Sequence, residues 1–251
     1  MTEASLSNAH STGPVRTTRW AGRAGMGAGL AALLGTWGTG LDLWPFTIGF
    51  LFLGVAIILS LIAIVFGVYA LIKGRGSSVP RGGLWLGLFA AVAVFGWLGS
   101  WISAGSSAPM IHDVTTDTAN PPAFTKLSLR KDNLVGLKSV DEWRQIHAGA
   151  YSDIKPLTLA EDPATVIAKA EALVKARGWD VALVAADRVE ATDTVSAFRF
   201  KDDVVITAVP GAEGKGSIVN IRSVSRVGQG DLGVNAKRVR ALIKDLAGGG
   251  Q

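Results

Sequence analysis

TIGFLFLGVAIILSLIAIVFGVYALI, residues 47–72, carries no charged side chain in 26 positions. A helix needs about 20 apolar residues to cross the hydrocarbon of a bilayer, where no water is available to satisfy a backbone group left unpaired. The run therefore predicts a transmembrane helix, long enough to span with some tilt. Working outward, residues 84–104 (LWLGLFAAVAVFGWLGSWISA) form a second such stretch, and residues 24–43 a third. The third is the least regular. GTWGTG at residues 35–40 lowers its helix propensity and Asp42 sits near its end, so a re-entrant or interfacial piece is the alternative.

Charge decides between these alternatives. Cytoplasmic loops collect Lys and Arg. Arg16, Arg19 and Arg23 precede the first stretch, and Lys73, Arg75 and Arg81 fill the loop between the other two. Both clusters face the same side only if the chain crosses between residues 23 and 47. No further Lys or Arg appears until Lys126, so everything beyond Ser107 is expected outside the cytoplasm, in the periplasm of a bacterium. The basic residues before an apolar stretch also resemble a signal peptide. No small-residue cleavage site follows, and retention is expected. Residues 1–23, rich in Ser, Thr and Gly, read as a disordered cytoplasmic tail.

Six of the eight tryptophans (Trp20, Trp37, Trp44, Trp85, Trp97 and Trp101) fall in or beside this block, several near span ends where amphipathic rings settle. Gly25 with Gly29, and Gly83 with Gly87, have the spacing that lets helix backbones approach closely. The predicted spans contain no internal Lys, Arg, His or Glu, and Asp42 lies at a span end, so the block reads as an anchor rather than a transport path.

The net charge of +5 invites a nucleic-acid reading, which its distribution removes. Six of the 25 basic residues but only two of the 20 acidic ones precede Ser107, which leaves the rest of the chain at +1. The excess is a topology signal, and no nucleic-acid partner is expected. Cysteine is absent, which excludes disulfides, thiol nucleophiles and Cys-ligated zinc. No cofactor motif is present: GxxxxGK[ST] and GxSxG are both missing.

Residues 107–247 predict a soluble α+β domain, followed by a flexible tail at 248–251. TANPPAFTK at 118–126 favours extended structure, Ser139 can start a short helix, and residues 151–159 look extended. Asp162 and Pro163 suit the N-cap and first turn of a helix whose Val166, Ala170, Leu173 and Val174 share a face up to Gly178. Four runs rich in Val, Ile and Phe follow, at 179–184, 188–200, 203–209 and 217–225, joined by connections short enough for antiparallel pairing. Asp231 can cap a closing helix over 232–246. The expectation is a two-layer domain with an antiparallel sheet of about four strands, helices on one face, and the other face or the long segment before the first helix free to bind.

Two constellations could carry chemistry. His112, Asp113, Thr116 and Asp117 lie within six residues just after the anchor. His112, Asp113 and Asp117 offer an imidazole and two carboxylates to a divalent metal, or the three serve as ordinary turn caps and ion-pair partners. The second is RSVSRVGQGDLGVNAKR, residues 222–238, in which Arg222, Ser223, Ser225, Arg226, Asp231, Asn235 and Arg238 bring guanidinium groups, hydroxyls and a helix start together. Such a corner suits an anion, although Asp231 as cap would repel one. Arg222 and Arg226 equally suit bridges to Asp202, Asp203, Asp113 or Asp117.

Three stretches carry a family resemblance: PMIHDVTTDTANPPAF at 109–124, FRFKDDVVITAVP at 198–210 and IVNIRSVSRVGQGDLGVNAKRVRALI at 218–243, with GWD at 178–180 and EAT at 190–192 between them. Together they resemble the bacterial domain-of-unknown-function family number 1499, over most of residues 109–247. Members often carry a few N-terminal spans. The resemblance implies a domain boundary and no reaction. The sequence thus reads as a three-span inner-membrane anchor bearing a periplasmic binding or accessory module of the cell envelope. Its expected partners are the lipid bilayer and either an anionic lipid headgroup or another envelope protein. The alternative is a small metal-dependent hydrolase using His112, Asp113 and Asp117.

Overall fold

A computed structural model of the chain describes residues 12–74, 80–195 and 198–248. The disorder expected of residues 1–11 and the flexible end at 249–251 lie outside the described residues. The chain divides into two compact units, residues 1–103 with 196–199, and residues 104–195 with 200–251.

The first unit holds three helices: α1 (Thr12–Leu33), α2 (Phe46–Lys73) and α3 (Gly82–Gly105). Two helical segments, Phe46–Lys73 and Gly82–Ser103, are long and apolar enough to cross a membrane. The segment read as the first span is helical too and runs on through a π-turn at Leu34–Gly38, but its composition falls short of that standard. Helix α1 also starts at Thr12, so residues 12–23 are not the disordered tail expected of them. Their polar composition conceals one small-residue stripe. Thr18, Ala21, Gly22, Gly25 and Ala28 are buried at helical spacing, while Arg16, Arg19 and Arg23 point outward.

Small residues hold this unit together. The buried stripe of α2 is Gly49, Leu53, Ala56, Ser60, Ala63, Gly67 and Ala70, and most of its large side chains, such as Leu51, Ile58 and Val65, face outward. This pattern, small inside and large outside, suits helices packed in lipid. Of the glycines expected to bring helices together, Gly25, Gly83 and Gly87 do so within the chain, with Gly22 as a fourth, while a Cβ on Gly29 would meet only the Ala90 methyl at ordinary contact distance. A Cβ on Gly22 would stand 2.6 Å from the carbonyl oxygen of Gly83, and one on Gly25 would collide with the backbone of Gly87.

The second unit is built on six antiparallel strands: β1 (Asp113–Thr115), β2 (Leu157–Leu159), β3 (Asp180–Ala185), β4 (Arg188–Val195), β5 (Phe200–Pro210) and β6 (Ser217–Ser225). Their order is β1-β6-β5-β4-β3, and β2 pairs with β6 on the same side as β1. The four longer strands are those expected; β1 and β2 add two. Strand β4 ends at Val195 rather than residue 200, and β5 begins at Phe200 rather than residue 203, which lengthens the second strand of the hairpin.

Three helices accompany the sheet. In α4 (Val140–Ala150) the Ser139 hydroxyl accepts from the Glu142 amide at 3.1 Å. Helix α5 (Pro163–Ala176) starts as its sequence dictates, with the Asp162 carboxylate accepting from the Thr165 amide at 3.0 Å. Helix α6 (Val234–Leu246) starts two residues later than expected, because Leu232 (φ 56°) and Gly233 (φ 79°) are left-handed and cannot continue a right-handed helix. Val166, Ala170 and Val174 of α5 and Val239, Leu242 and Leu246 of α6 pack with Val189, Val204, Ile206, Val219 and Ile221 of the sheet.

The opposite sheet face is not free, contrary to the sequence expectation. Residues 116–138 cross it as a strap. Glu190, fully buried on β4, accepts hydrogen bonds from the amides of Thr125 (2.6 Å), Lys126 (2.9 Å) and Leu127 (2.8 Å) and from the Thr125 hydroxyl (2.6 Å). Arg222 donates to the Pro122 carbonyl at 3.2 Å and Arg188 to that of Ala123 at 3.0 Å.

Candidate functional site

Strand alternation sorts the polar residues of the sheet onto two faces. On the strap face, β1 pairs with β6 so that Asp113 lies opposite Val224 and next to Arg222. The Arg222 guanidinium grips Asp113 with both arms, Nε to Oδ1 at 2.9 Å and Nη2 to Oδ2 at 2.6 Å, and both side chains are almost wholly buried. Asn133 of the strap donates to Asp113 Oδ2 at 2.6 Å. Further along the same face Arg226 binds Asp203 through Nε and Nη2 (2.9 and 2.8 Å) and reaches Thr192 at 3.0 Å. That carboxylate holds the Arg226 guanidinium above its ordinary value, against the opposing effect of burial.

On the helix face Asn235 of α6 is the hub. Its Oδ1 accepts from the Ser223 hydroxyl and from Arg238 Nη1, each at 2.5 Å, and its Nδ2 donates to Ser225 Oγ (2.8 Å) and to the carbonyl of His112 (2.9 Å). Arg238 extends the network to Asp202 at 2.8 Å and Asp193 at 2.9 Å. Asp202 and Asp203 are consecutive, so they point to opposite faces and serve different arginines. Asp231 accepts from the amides of Gly233 (2.8 Å) and Asn235 (2.6 Å), which makes it the cap of α6 from outside the helix. Burial pushes its carboxyl above the usual range, partly offset by those two amides.

The seven residues of the expected anion corner therefore do not converge. The sheet separates Arg222 and Arg226 from Ser223, Ser225, Asn235 and Arg238, and every guanidinium among them is matched by a carboxylate. The 109–117 segment and the β6 corner do meet, but as a closed ion pair rather than around an opening. The proposed metal set is not assembled either. His112 Nδ1 reaches the Gln229 carbonyl at 3.1 Å and its Nε2 lies 3.3 Å from Asn133 Oδ1. Thr116 pairs its hydroxyl with Asn220 at 2.9 Å, and Asp117 caps the turn formed by Ala119 and Asn120. Among the described residues no group of three His, Asp or Glu side chains is arranged to hold a metal ion.

Sequence reading passed over three groups. Glu190 is one. His147 of α4 is another: it is buried, and its Nε2 accepts the Thr115 amide at 3.2 Å, which requires a neutral ring. Burial lowers its pKa, ahead of an opposing pull from Asp113. A histidine held neutral in the fold but free to protonate when unfolded favours unfolding as acid is added. Stability should therefore fall as pH drops below about 6.5. Melting the full chain in detergent between pH 7.5 and pH 5.5 should show this slope, and His147→Gln, which keeps an acceptor without the titration, should flatten it.

The third is Tyr151 at the end of α4. A cavity of about 220 Å³ lies between it and the first turns of α6, walled also by Ser107, Lys237 and Arg240. Tyr151 is 5% exposed, and its hydroxyl has no hydrogen-bond partner. Burial, with a smaller push from Asp231, raises that hydroxyl to about 12, so it stays protonated.

A family model described as "Protein of unknown function (DUF1499)" matches residues 113–246, the span that begins with β1 and ends on the last residue of α6. No curated protein and no solved structure matches the chain.

Proposed function

The chain belongs to this DUF1499 family of proteins of unknown function, and from that premise we propose that it is a membrane-tethered module of the cell envelope that works by binding rather than by chemistry. Its anchor crosses the bacterial inner membrane three times, with the N-terminus in the cytoplasm and residues 107–247 in the periplasm. The observation that carries this reading is the outward face of α1. Trp20, Leu30 and Leu33 of α1, Trp37 in the π-turn that continues it and Leu41 in the turn just beyond are all more than half exposed, while the inner stripe of α1 packs on α3 through Gly22 and Gly25. Such a belt is untenable in water and natural in lipid. Thr36 and Thr39 turn their hydroxyls back onto the carbonyls of Ala32 and Gly35 (2.9 and 2.8 Å), which spares the belt an unpaired polar group.

The charge pattern supports the orientation. With α1 as a span, Arg16, Arg19, Arg23, Lys73, Arg75 and Arg81 share one side and the 42–45 linker, which has no cation, takes the other. A reporter fused after Gln251 tests the arrangement. A periplasm-dependent reporter should be active there and a cytoplasm-dependent one silent; the reverse would overturn the three-span model.

A further inference from the structure

Ala236, Lys237 and Arg240 of α6, with its cap Gly233, line the Tyr151 cavity at spacings of three, four and seven from Gly233, so one stripe of the helix faces it. The groups on that stripe are not equivalent. Arg240 is committed: it pairs with Asp153 at 2.7 Å, and its guanidinium carbon stands 5.4 Å from the centre of the Tyr151 ring. Lys237 is exposed, and among the described residues its side-chain ammonium has neither an ion-pair nor a hydrogen-bond partner, its amide alone being bonded, to the Gly233 carbonyl. The cavity is thus bordered by a free ammonium and backed by the phenol, whose hydroxyl is protonated and unpartnered. The amides of Gly233 and Asn235 are already taken by Asp231. A ligand here would be met by side chains, not by the helix end.

The surroundings are amphipathic. Leu232, which also lines the cavity, is 45% exposed in a left-handed conformation, and its side chain lies against Gly105, the last residue of α3. Met110, 64% exposed, sits against Gly230. Ser107 on the cavity wall is only two residues beyond α3, a reach of at most about 7 Å. A cationic cavity with bare apolar side chains beside it, this close in chain to a membrane helix, has the chemistry of a phospholipid rather than of a free ion.

Resting on the proposed membrane-tethered function, we propose that the cavity between Tyr151 and α6 binds the phosphate of an anionic phospholipid headgroup. Lys237 supplies the charge, the Tyr151 hydroxyl orients the phosphate, Arg240 stays paired with Asp153 at the wall, and Leu232 and Met110 contact the first carbons of the chains. The probe is short-chain phosphatidylglycerol added to the full chain in a neutral detergent, with inorganic phosphate and short-chain phosphatidylcholine as separate arms. Phosphatidylglycerol should bind most tightly. Lys237→Gln should weaken it about tenfold, since a charge-assisted contact is lost. Tyr151→Phe should weaken it by a smaller factor, and neither variant should lower the melting temperature of the unliganded chain by more than a few degrees. Inorganic phosphate binding as tightly as the lipid would overturn the lipid assignment. Equal affinity of Lys237→Gln and the parent chain would overturn the site. Reporter fusions read the topology independently, so a cytoplasmic domain that still loses the lipid with Lys237→Gln would remove the periplasmic reading and leave the site standing.

Discussion

Asp113→Ala should destabilise the soluble domain by about 3–5 kcal/mol, because it leaves the Arg222 guanidinium charged, buried and without its partner. The two side chains are 4% and 10% exposed and meet through two parallel contacts of 2.9 and 2.6 Å. The loss extends beyond the pair. Asn133 of the strap donates to the same carboxylate and loses its acceptor, whereas the bond from the Trp143 indole of α4 to the Asp113 backbone carbonyl (2.9 Å) is kept in the variant. Desolvating an ion pair offsets much of its attraction, so removing both charges should be milder than removing one. The double variant Asp113→Leu with Arg222→Met should recover more than half of the loss. Denaturant unfolding of the full chain measures both. A single-variant cost under about 1 kcal/mol, the range of exposed pairs, would show that the bridge does not hold the corner.

A comparable loss, about 3–5 kcal/mol, is expected for Glu190→Ala, by a different route. Among the described residues no cation bonds Glu190 directly; its charge is met by three successive amides and a hydroxyl of the strap. Truncation leaves those donors unpaired beneath the strap, at about 1–3 kcal/mol for each that water cannot reach. The strap contains Lys126, Arg130 and Lys131, so its release can be read directly with trypsin. Cleavage after Lys126 should accelerate by at least about tenfold in Glu190→Ala at pH 8, and less in Glu190→Gln, which can still accept. Acid should act in the same direction. Burial works to raise the Glu190 carboxyl, but the Thr125 hydroxyl and the three amides outweigh it and hold the group below its usual range. A depressed carboxyl stabilises the fold fully above the unfolded value, near 4.5. That contribution is lost as pH falls through the lower folded value. Unchanged trypsin resistance in Glu190→Ala would remove Glu190 as the strap's anchor.

These two residues mark how far the sequence could be read. Local signals survived intact: Asp162 with Pro163 started α5, and the alternation of residues 217–225 gave β6 within its observed bounds. Arg222 and Arg226 found carboxylates among those the sequence offered, Asp113 and Asp203. The strap escaped notice because its hold is nonlocal. Thr125 and Glu190 are 65 positions apart, and extended polar chain around two prolines looks the same whether it is loose or pinned. One signal was present: an acidic residue at Glu190 between Val189 and Ala191 in a strand core, where a charge needs a dedicated partner. Strands β1 and β2, three residues each, are too short for alternation to register. Helix α1 was obscured differently, since its inner face is made of Thr, Ala and Gly, whose value lies in close packing rather than in hydropathy.

The absence of cysteine makes the central claim directly measurable. Single substitutions Arg16→Cys, Arg81→Cys and Lys126→Cys can be labelled in intact cells with a membrane-impermeant maleimide admitted through the outer membrane. A three-span anchor with an external domain predicts labelling of Lys126→Cys from outside, and labelling of Arg16→Cys and Arg81→Cys only after the inner membrane is opened. Labelling of Arg16→Cys from outside, or protection of Lys126→Cys until the membrane is opened, would contradict it.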